Sequence, residues 1–234
     1  MSKNTLDRQT KLSISYFTKT DTLKIVGAAI LIASLASLVF RLGLVGYILA
    51  IIGTPTGVVL FILGSTSKAS DADMDSDMET KLTGILIDID NDRHYRLKLL
   101  KNQKDITIEG YRYTDGVMIK KLKDGGLRTS EFTRTKLRIL SDRLYIVSRD
   151  ISLIADEIQN HLYEISYDDI QKIEIFREEK RVVFNNNTFF TKPCHLVIST
   201  SDSQISFPII DAVTSDDIVT NIQRQMKAYA DSKT

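Results

Sequence analysis

The sequence predicts an N-terminal transmembrane α-hairpin joined to a mainly β domain that ends in one helix. Three observations predict this fold class. Residues 25–64 form an apolar run that contains a single charge, Arg41. From Leu82 onward apolar and polar residues alternate with period two, which is typical of β-strands. After Thr214 the apolar residues recur at helical spacing.

The apolar run is long enough for two membrane crossings. A helix rises about 1.5 Å per residue, and the hydrocarbon core of a bilayer is about 30 Å thick. We therefore expect spans at Leu23–Phe40 and Leu42–Gly64 with Arg41 at the tip, because a guanidinium in mid-span is costly. Gly43 and Gly46 can supply the tight turn.

Small residues recur in both expected spans at spacings that let helix backbones approach closely. The candidate packing residues are Ala29, Ala33 and Ser37 in the first span and Gly46, Ala50, Gly53 and Gly57 in the second. We expect them to pack the hairpin against itself. The alternative is a face for self-association, which would make the protein a structural or assembly subunit of a membrane complex, or a homo-oligomer.

The N-terminal segment, residues 1–22, carries more basic than acidic side chains, whereas the tip carries Arg41 alone. The positive-inside rule therefore places both termini in the cytoplasm and makes the protein integral to the membrane. A cleaved signal peptide is the rival interpretation, but a second apolar span follows the first at once. Cys194 is the only cysteine, which agrees with a reducing compartment.

Residues 65–80 are rich in Ser and Asp and are expected to form a solvated acidic linker between the hairpin at 23–64 and a cytoplasmic β domain at 81–234. Carboxylates recur there at every second position from Asp71 to Glu79. A calcium-binding hand would also need a glycine at its sixth position, a distal glutamate and flanking helices. The triplet Asp88, Asp90 and Asp92 fails the same test, so no metal site is predicted.

The β domain is expected to contain twelve strands, with one amphipathic helix after an N-cap at Thr214. Asp115-Gly116 and Asp124-Gly125 predict hairpin turns, since glycine supplies the positive φ that these turns require. The expected strand bounds are Thr83–Asp90, Arg93–Leu100, Asp105–Tyr113, Val117–Leu122, Leu127–Phe132, Arg134–Leu140, Arg143–Arg149, His161–Tyr167, Ile170–Arg177, Arg181–Phe190, Cys194–Thr200 and Gln204–Ile210.

Two stretches resemble bacterial pleckstrin-homology-like (GRAM-like) domains. Residues 135–147, TKLRILSDRLYIV, are similar to the opening strands of that family, and residues 165–174, ISYDDIQKIE, are similar to a later strand pair. The resemblance covers residues 134–230 and implies a bent seven-stranded sheet or barrel capped by a C-terminal helix. It also implies an interaction module, here in a bacterial inner membrane. The strands expected before Arg134 exceed the family plan.

Positive charge is concentrated in the middle of the β domain, where residues 93–143 hold 14 Lys and Arg against 6 Asp and Glu. Lys136-Leu137-Arg138 is similar to a basic strand of lipid-binding members of the resembled family. Beneath a bilayer such a cluster would attract anionic headgroups. The candidate lipid-binding residues are Lys120, Lys121, Lys123, Arg128, Arg134, Lys136 and Arg138.

Other interpretations of these charges stay open: they could merely solvate a sheet face, and the module could bind a protein partner. Nucleic acid is disfavoured because acidic segments flank the basic one. The chain lacks a phosphate loop, a G-x-S-x-G elbow, an H-E-x-x-H helix and a C-x-x-C pair. His94, His161 and His195 are isolated, and Cys194 beside His195 on a strand points to the opposite face. We therefore expect a non-enzymatic protein without a cofactor.

Overall fold

The computed structural model describes residues 3–18, 22–40, 43–66, 69–85, 105–210 and 212–233. The chain divides into two compact units, Met1–Asp75 and Ser76–Thr234, and the boundary falls within a helix. The expected strand Arg93–Leu100, most of the expected strand Thr83–Asp90 and the Asp88 triplet lie outside the described residues.

The first unit is helical. Its helices are α1, Lys3–Thr18; α2, Thr22–Val39; α3, Gly43–Thr66; and the first part of α4, Asp71–Leu82. Among the described residues, Gly46–Ser65 is long and apolar enough to cross a membrane. The segments Thr10–Thr18 and Thr22–Ser37 meet at a bend of 69° and would add a second crossing if they form one span. Arg41, the expected tip residue, lies outside the described residues.

Helices α2 and α3 lie antiparallel with their backbones in close contact. A Cβ atom on Gly57 would come within 2.9 Å of the carbonyl oxygen of Gly27. A Cβ atom on Gly53 would lie 3.3 Å from the Cβ of Ser34 and would collide with its hydroxyl. Glycine therefore sets the separation of the two helices, as small residues do in lipid-embedded pairs.

The expected packing residues divide between this contact and the outside of the pair. The hydroxyl of Ser37 donates a hydrogen bond to the carbonyl oxygen of Gly46 at 3.1 Å. Gly53 and Gly57 also lie at the α2–α3 contact. By contrast, Ala29 and Ala33 are exposed, and Ala50 is half-buried. On α2 the row that faces α3 runs through Gly27, Ser34 and Ser37.

The structure differs from the expected linker at residues 71–80, which are helical. Ser70 and Asp73 form a capping box: the Asp73 amide donates to Ser70 Oγ at 3.1 Å, and the Ser70 amide donates to Asp73 Oδ2 at 2.8 Å. Asp71 and Asp73 occupy the first turn, where carboxylates are favourable. Within the first unit, the Tyr16 hydroxyl of α1 donates to Asp71 Oδ1 at 2.7 Å.

The second unit holds all the described strands and the last helix. The bounds are β1 Ile106–Tyr111, β2 Ile119–Lys121, β3 Leu127–Thr129, β4 Glu131–Ile139, β5 Arg143–Ser152, β6 Ile158–Ser166, β7 Ile170–Arg177, β8 Lys180–Phe184, β9 Asn187–Thr191, β10 Cys194–Thr200, β11 Gln204–Ile209 and α5 Ala212–Lys233. Antiparallel pairing gives a four-stranded sheet in the order β1-β4-β5-β6, a three-stranded sheet in the order β11-β10-β7, and the separate hairpins β2–β3 and β8–β9.

The two larger sheets enclose the main core. Leu137 and Leu144 of one sheet and Leu196 of the other are fully buried there, and Ile222 of α5 is buried against them. Near the end of the sheet, the Tyr167 hydroxyl donates to the carbonyl oxygen of Leu140 at 2.7 Å. Helix α5 thus closes the core as the periodicity of its apolar residues predicts.

Strands β1 and β11 join the two larger sheets. The amide of Ile210 donates to the carbonyl oxygen of Glu109 at 2.8 Å. A Cβ atom on Gly110 would lie 2.6 Å from the carbonyl carbon of Pro208, so the close approach of the strands requires glycine. The four-stranded sheet therefore begins with β1, well before Arg134.

One expected strand, Arg181–Phe190, is in fact the hairpin β8–β9. Asn185 and Asn186 form its two-residue turn with φ angles of 48° and 61°. Asparagine tolerates this left-handed conformation better than most residues, so the turn forms without glycine. The expected strand Leu127–Phe132 likewise divides, at Ser130, between β3 and β4.

Candidate functional site

Strand β4 presents three of the candidate cations on one face. Arg134, Lys136 and Arg138 alternate with buried Thr135 and Leu137, so the cations lie on the outer face of the four-stranded sheet. Strand β1 lies beside them, with Thr107 opposite Lys136. This outer face is where the sequence predicts anion binding.

The guanidinium of Arg134 donates hydrogen bonds to carboxylates. Its Nη1 and Nη2 atoms donate to Glu79 at 3.0 and 2.5 Å, and its Nε donates to Glu109 at 2.7 Å. The hydrogen bonds to Glu79 raise the pKa of Arg134, and they hold the pKa of Glu79 below its usual range. Arg134 therefore fastens α4 and β1 to β4.

The next cation along the face is also paired, since Arg138 Nε donates to Asp105 Oδ1 at 2.5 Å. Between the two arginines, Lys136 lines a groove of about 500 Å³ together with Thr107 and Ile210. Among the described residues of this face, three carboxylates, those of Glu79, Glu109 and Asp105, thus lie beside the three cations. Balanced charge of this kind gives a surface little attraction for anions.

The other four candidate residues lie on a separate structure, which we call the hairpin unit: residues 113–129, which contain β2–β3, and residues 180–192, which contain β8–β9. The two hairpins share a small core of their own, formed by buried Val117, Ile119 and Val182. Partly buried aromatic and aliphatic side chains complete it: Tyr113, Leu127, Phe184 and Phe189. Burial raises the pKa of the Tyr113 hydroxyl, which donates to the carbonyl oxygen of Leu127 at 3.2 Å.

Charge in the hairpin unit is strongly positive, with seven Lys and Arg against two Asp. Lys121 and Lys123 are exposed beside the β2–β3 turn. Lys120 is half-buried, and Arg128 is only 6% exposed. Two of the four candidate cations in this unit are therefore available at its surface.

Sequence reasoning missed a polar chamber at one end of the main core. The inward-facing positions of β4 and β5 change there from apolar to polar, at Thr133, Thr135, Ser148 and Asp150. The chamber has a volume of about 370 Å³, and Tyr163 is one of its lining residues. Polar residues at core-facing positions of an alternating strand were the signal that could have revealed it.

Asp150 organises this chamber. Its Oδ1 accepts from the Thr133 hydroxyl at 2.6 Å, and its Oδ2 accepts from Arg112 Nη1 at 2.8 Å and lies 3.5 Å from His161 Nε2. Burial raises the pKa of the Tyr163 hydroxyl, and the Asp150 carboxylate raises it further. Asp150 thus accepts hydrogen bonds from one side chain of β4 and from Arg112, which follows β1.

The remaining candidate for chemistry, Cys194 beside His195, is divided between two faces of β10. Cys194 is buried in the main core, whereas His195 Nδ1 lies 3.1 Å from the hydroxyl of Ser206 on β11. Burial lowers the pKa of His195. In the part of the chain that the structure describes, no three His, Cys, Asp or Glu side chains are grouped to hold a metal ion.

No protein-family model matches the chain, and no curated protein or solved structure matches it either.

Proposed function

We propose that the protein is a non-enzymatic, membrane-anchored interaction module whose cytoplasmic β domain binds anionic lipid headgroups through the hairpin unit. The observation that carries this proposal is the distribution of charge. Carboxylates face the cations of β4, whereas the hairpin unit has seven basic side chains against two acidic ones, with Lys121 and Lys123 exposed. Each basic side chain near an anionic leaflet contributes about 1 kcal/mol to binding.

The arrangement of the β domain supports the resemblance to pleckstrin-homology-like domains. Four strands and three strands form two antiparallel sheets, and α5 follows the last strand. The helix has the position that the resemblance implies, and the number of strands agrees when β1, which precedes residues 134–230, is counted as the first strand. The hairpins β2–β3 and β8–β9 are then insertions into that plan, and β2 and β3 correspond to the strands expected to begin at Val117 and Leu127.

The membrane anchor in this proposal is the α2–α3 pair. Gly46–Ser65 within α3 has the length and apolarity of a span, and most of its large apolar side chains are exposed. Exposed apolar surface on this scale is stable in lipid and unfavourable in water. The excess of basic over acidic side chains in the N-terminal flank supports a cytoplasmic N-terminus and, with two crossings, a cytoplasmic β domain.

The proposal is tested with the full chain held in nanodiscs of neutral lipid and mixed with separate vesicles. We expect the nanodiscs to float with anionic vesicles at low salt, and to float neither with neutral vesicles nor at high salt. Lys121→Glu with Lys123→Glu should abolish flotation. The matched control, Arg224→Glu with Lys227→Glu on α5, makes the same change in charge at exposed positions and should leave flotation intact.

Absence of flotation in the unaltered protein would reject headgroup binding and leave a protein partner as the ligand of the module. Equal loss in both double variants would also reject it, because binding would then follow the net charge of the chain and not the hairpin unit.

A second candidate function, a subunit that assembles through its helices, is favoured by one observation: Ala29 and Ala33 are exposed on α2, away from α3. Small residues at a helix surface permit close approach of another helix in lipid. Ala29→Leu with Ala33→Leu should then disperse an oligomer measured by light scattering in detergent, whereas Ile32→Leu should not. A monomeric unaltered protein would remove this candidate.

A further inference from the structure

The outer face of the β8–β9 hairpin carries two bare apolar side chains. Phe190 is 79% exposed and Val183 is 60% exposed. The opposite face of the same hairpin covers the small core through Val182 and Phe189. Because side chains alternate across a strand, this packing fixes the direction in which Phe190 and Val183 project.

Cations flank this apolar pair. Arg181 lies directly opposite Phe190 in the strand register, so the guanidinium and the ring share one face. Lys192 follows the end of β9, two residues after Phe190, and its ammonium pairs with the exposed carboxylate of Glu179, which precedes β8, at 2.6 Å. Strands β8 and β9 themselves contain no acidic residue.

An aromatic ring and an aliphatic side chain bordered by cations suit one kind of surface, an anionic bilayer. Apolar side chains gain free energy on entering the acyl boundary, while basic side chains remain at the level of the phosphates. A protein partner would need a wider apolar area, since stable interfaces bury about 800 Å² on each side. Two side chains on a two-stranded ribbon fall well short of that area.

We propose that the outer face of β8–β9 docks on the bilayer that holds the protein's own α2–α3 pair, with Phe190 and Val183 inserted below the headgroups and Arg181 at the phosphates. This inference rests on the proposed function and adds a docking face to it. Anchoring in the same bilayer keeps the effective concentration of lipid surface high, so a small apolar contact suffices.

The chain contains no tryptophan, which gives the proposal a direct probe. Phe190→Trp places a single fluorophore at the docking face. The matched control is Leu162→Trp, which replaces an apolar side chain that is 57% exposed on β6 of the four-stranded sheet. Each full-length variant is reconstituted into vesicles of neutral lipid, or of neutral and anionic lipid mixed, with or without brominated acyl chains.

In anionic vesicles we expect the emission of Phe190→Trp to shift to shorter wavelength and to lose intensity when the acyl chains are brominated. Leu162→Trp should show neither change. Adding Arg181→Glu to Phe190→Trp should reverse the shift and the quenching. Quenching of Leu162→Trp equal to that of Phe190→Trp, or no quenching of Phe190→Trp, overturns the proposal.

Two further experiments distinguish the protein's own bilayer from a second vesicle, and distinguish insertion of Phe190 from headgroup binding. Protein in neutral vesicles mixed with brominated anionic vesicles measures contact with a second bilayer, which headgroup binding also allows; quenching in this arm but not in brominated anionic vesicles that hold the protein would overturn docking on the protein's own bilayer. If nanodiscs still float with anionic vesicles while Phe190→Trp stays unquenched, the insertion fails and headgroup binding stands. If flotation is also absent, both fail.

Discussion

Arg134 and Glu79 are joined side by side by two hydrogen bonds of 3.0 and 2.5 Å, which fasten the end of α4 to β4. Three hydrogen bonds nearby act in the same way. Lys81 Nζ donates to the carbonyl oxygens of Ser152 and Ala155 at 2.8 and 3.0 Å, and Arg149 Nη1 donates to that of Thr83 at 2.7 Å. Arg134, which the sequence predicts to bind lipid, therefore holds α4 against β4.

Arg134→Ala should lower the free energy of unfolding of the β domain by about 1 kcal/mol, because it removes the charged hydrogen bonds to Glu79 and Glu109, whose exposed carboxylates water then hydrates. Arg134→Lys keeps the charge and loses the fork, so we expect an intermediate loss. Urea unfolding measures both, and hydrogen exchange along α4 should rise in step. Stability equal to that of the unaltered protein in both variants would contradict a stabilising role for the hydrogen bonds that join Arg134 to Glu79 and Glu109.

Acid should weaken the hydrogen bonds between Arg134 and Glu79. The hydrogen bonds from Arg134 lower the pKa of Glu79 in the folded protein below its ordinary value of 4.5. A carboxyl group with a lowered folded-state pKa stabilises the fold fully above its unfolded pKa and loses that contribution as pH falls through the folded pKa. The protection of α4 amides against exchange, corrected for the intrinsic exchange rate at each pH, should therefore fall below about pH 4.5. Glu79→Gln should show less protection at pH 7 and a smaller further fall in acid.

Gly110→Ala should destabilise the junction of β1 and β11, because the added Cβ would lie 2.6 Å from backbone of Pro208. We expect a loss of about 1–3 kcal/mol in the free energy of unfolding, as for other overpacked sites. Gly126→Ala is the control, since its Cβ would lie 3.2 Å from a movable Asp124 carboxylate oxygen. A larger loss at Gly126 than at Gly110 would argue against the junction as described.

Glycine in the Asn185-Asn186 turn should leave the stability of the protein unchanged, whereas a β-branched residue should lower it. Both residues have positive φ, which glycine adopts freely and valine adopts only with strain. Asn186→Gly should keep the melting temperature within a degree or so of that of the unaltered protein, whereas Asn186→Val should cost about 1–2 kcal/mol. Thermal unfolding of the two variants decides the matter, and equal stability would refute the turn geometry.

Cysteines placed across the α2–α3 contact should form a disulfide within one chain. The built Cβ of Gly53 lies 3.3 Å from the Cβ of Ser34, close to the separation of about 3.8 Å usual in disulfides. In a Cys194→Ala background, Ser34→Cys with Gly53→Cys should cross-link on oxidation, and Ala33→Cys with Gly53→Cys should not. Mass spectrometry of proteolytic fragments gives the answer; cross-linking in both pairs would contradict the helix faces described.

Much of the β domain follows from local pattern. Strands β7 and β10 run at the expected bounds, Ile170–Arg177 and Cys194–Thr200, because turn residues flank a short run rich in β-branched residues at each. The β8–β9 turn was missed because asparagine pairs announce a reversal less clearly than glycine does. Helix α4 was missed because carboxylates at every second position masked the capping box of Ser70 and Asp73.

The candidate site was harder to predict than the strands. Spacing alone places Arg134, Lys136 and Arg138 on one face of β4. It cannot show that carboxylates from α4 and β1 meet them, since Glu79 and Glu109 come from other elements. Likewise, the charge of residues 120–123 was visible in the sequence, but their shared core with β8–β9 depends on tertiary packing.

The shared core of the hairpin unit also dictates an order of assembly. Its two halves are separated along the chain by β4, β5, β6 and β7, so it can close only after the larger sheets have brought them together. With three buried side chains it also opens at a lower free energy than the main core. We therefore expect the surface that carries Phe190 to form after the main core and to lose its structure at a lower temperature than the main core, so that the docking face is present only in molecules whose larger sheets have already folded.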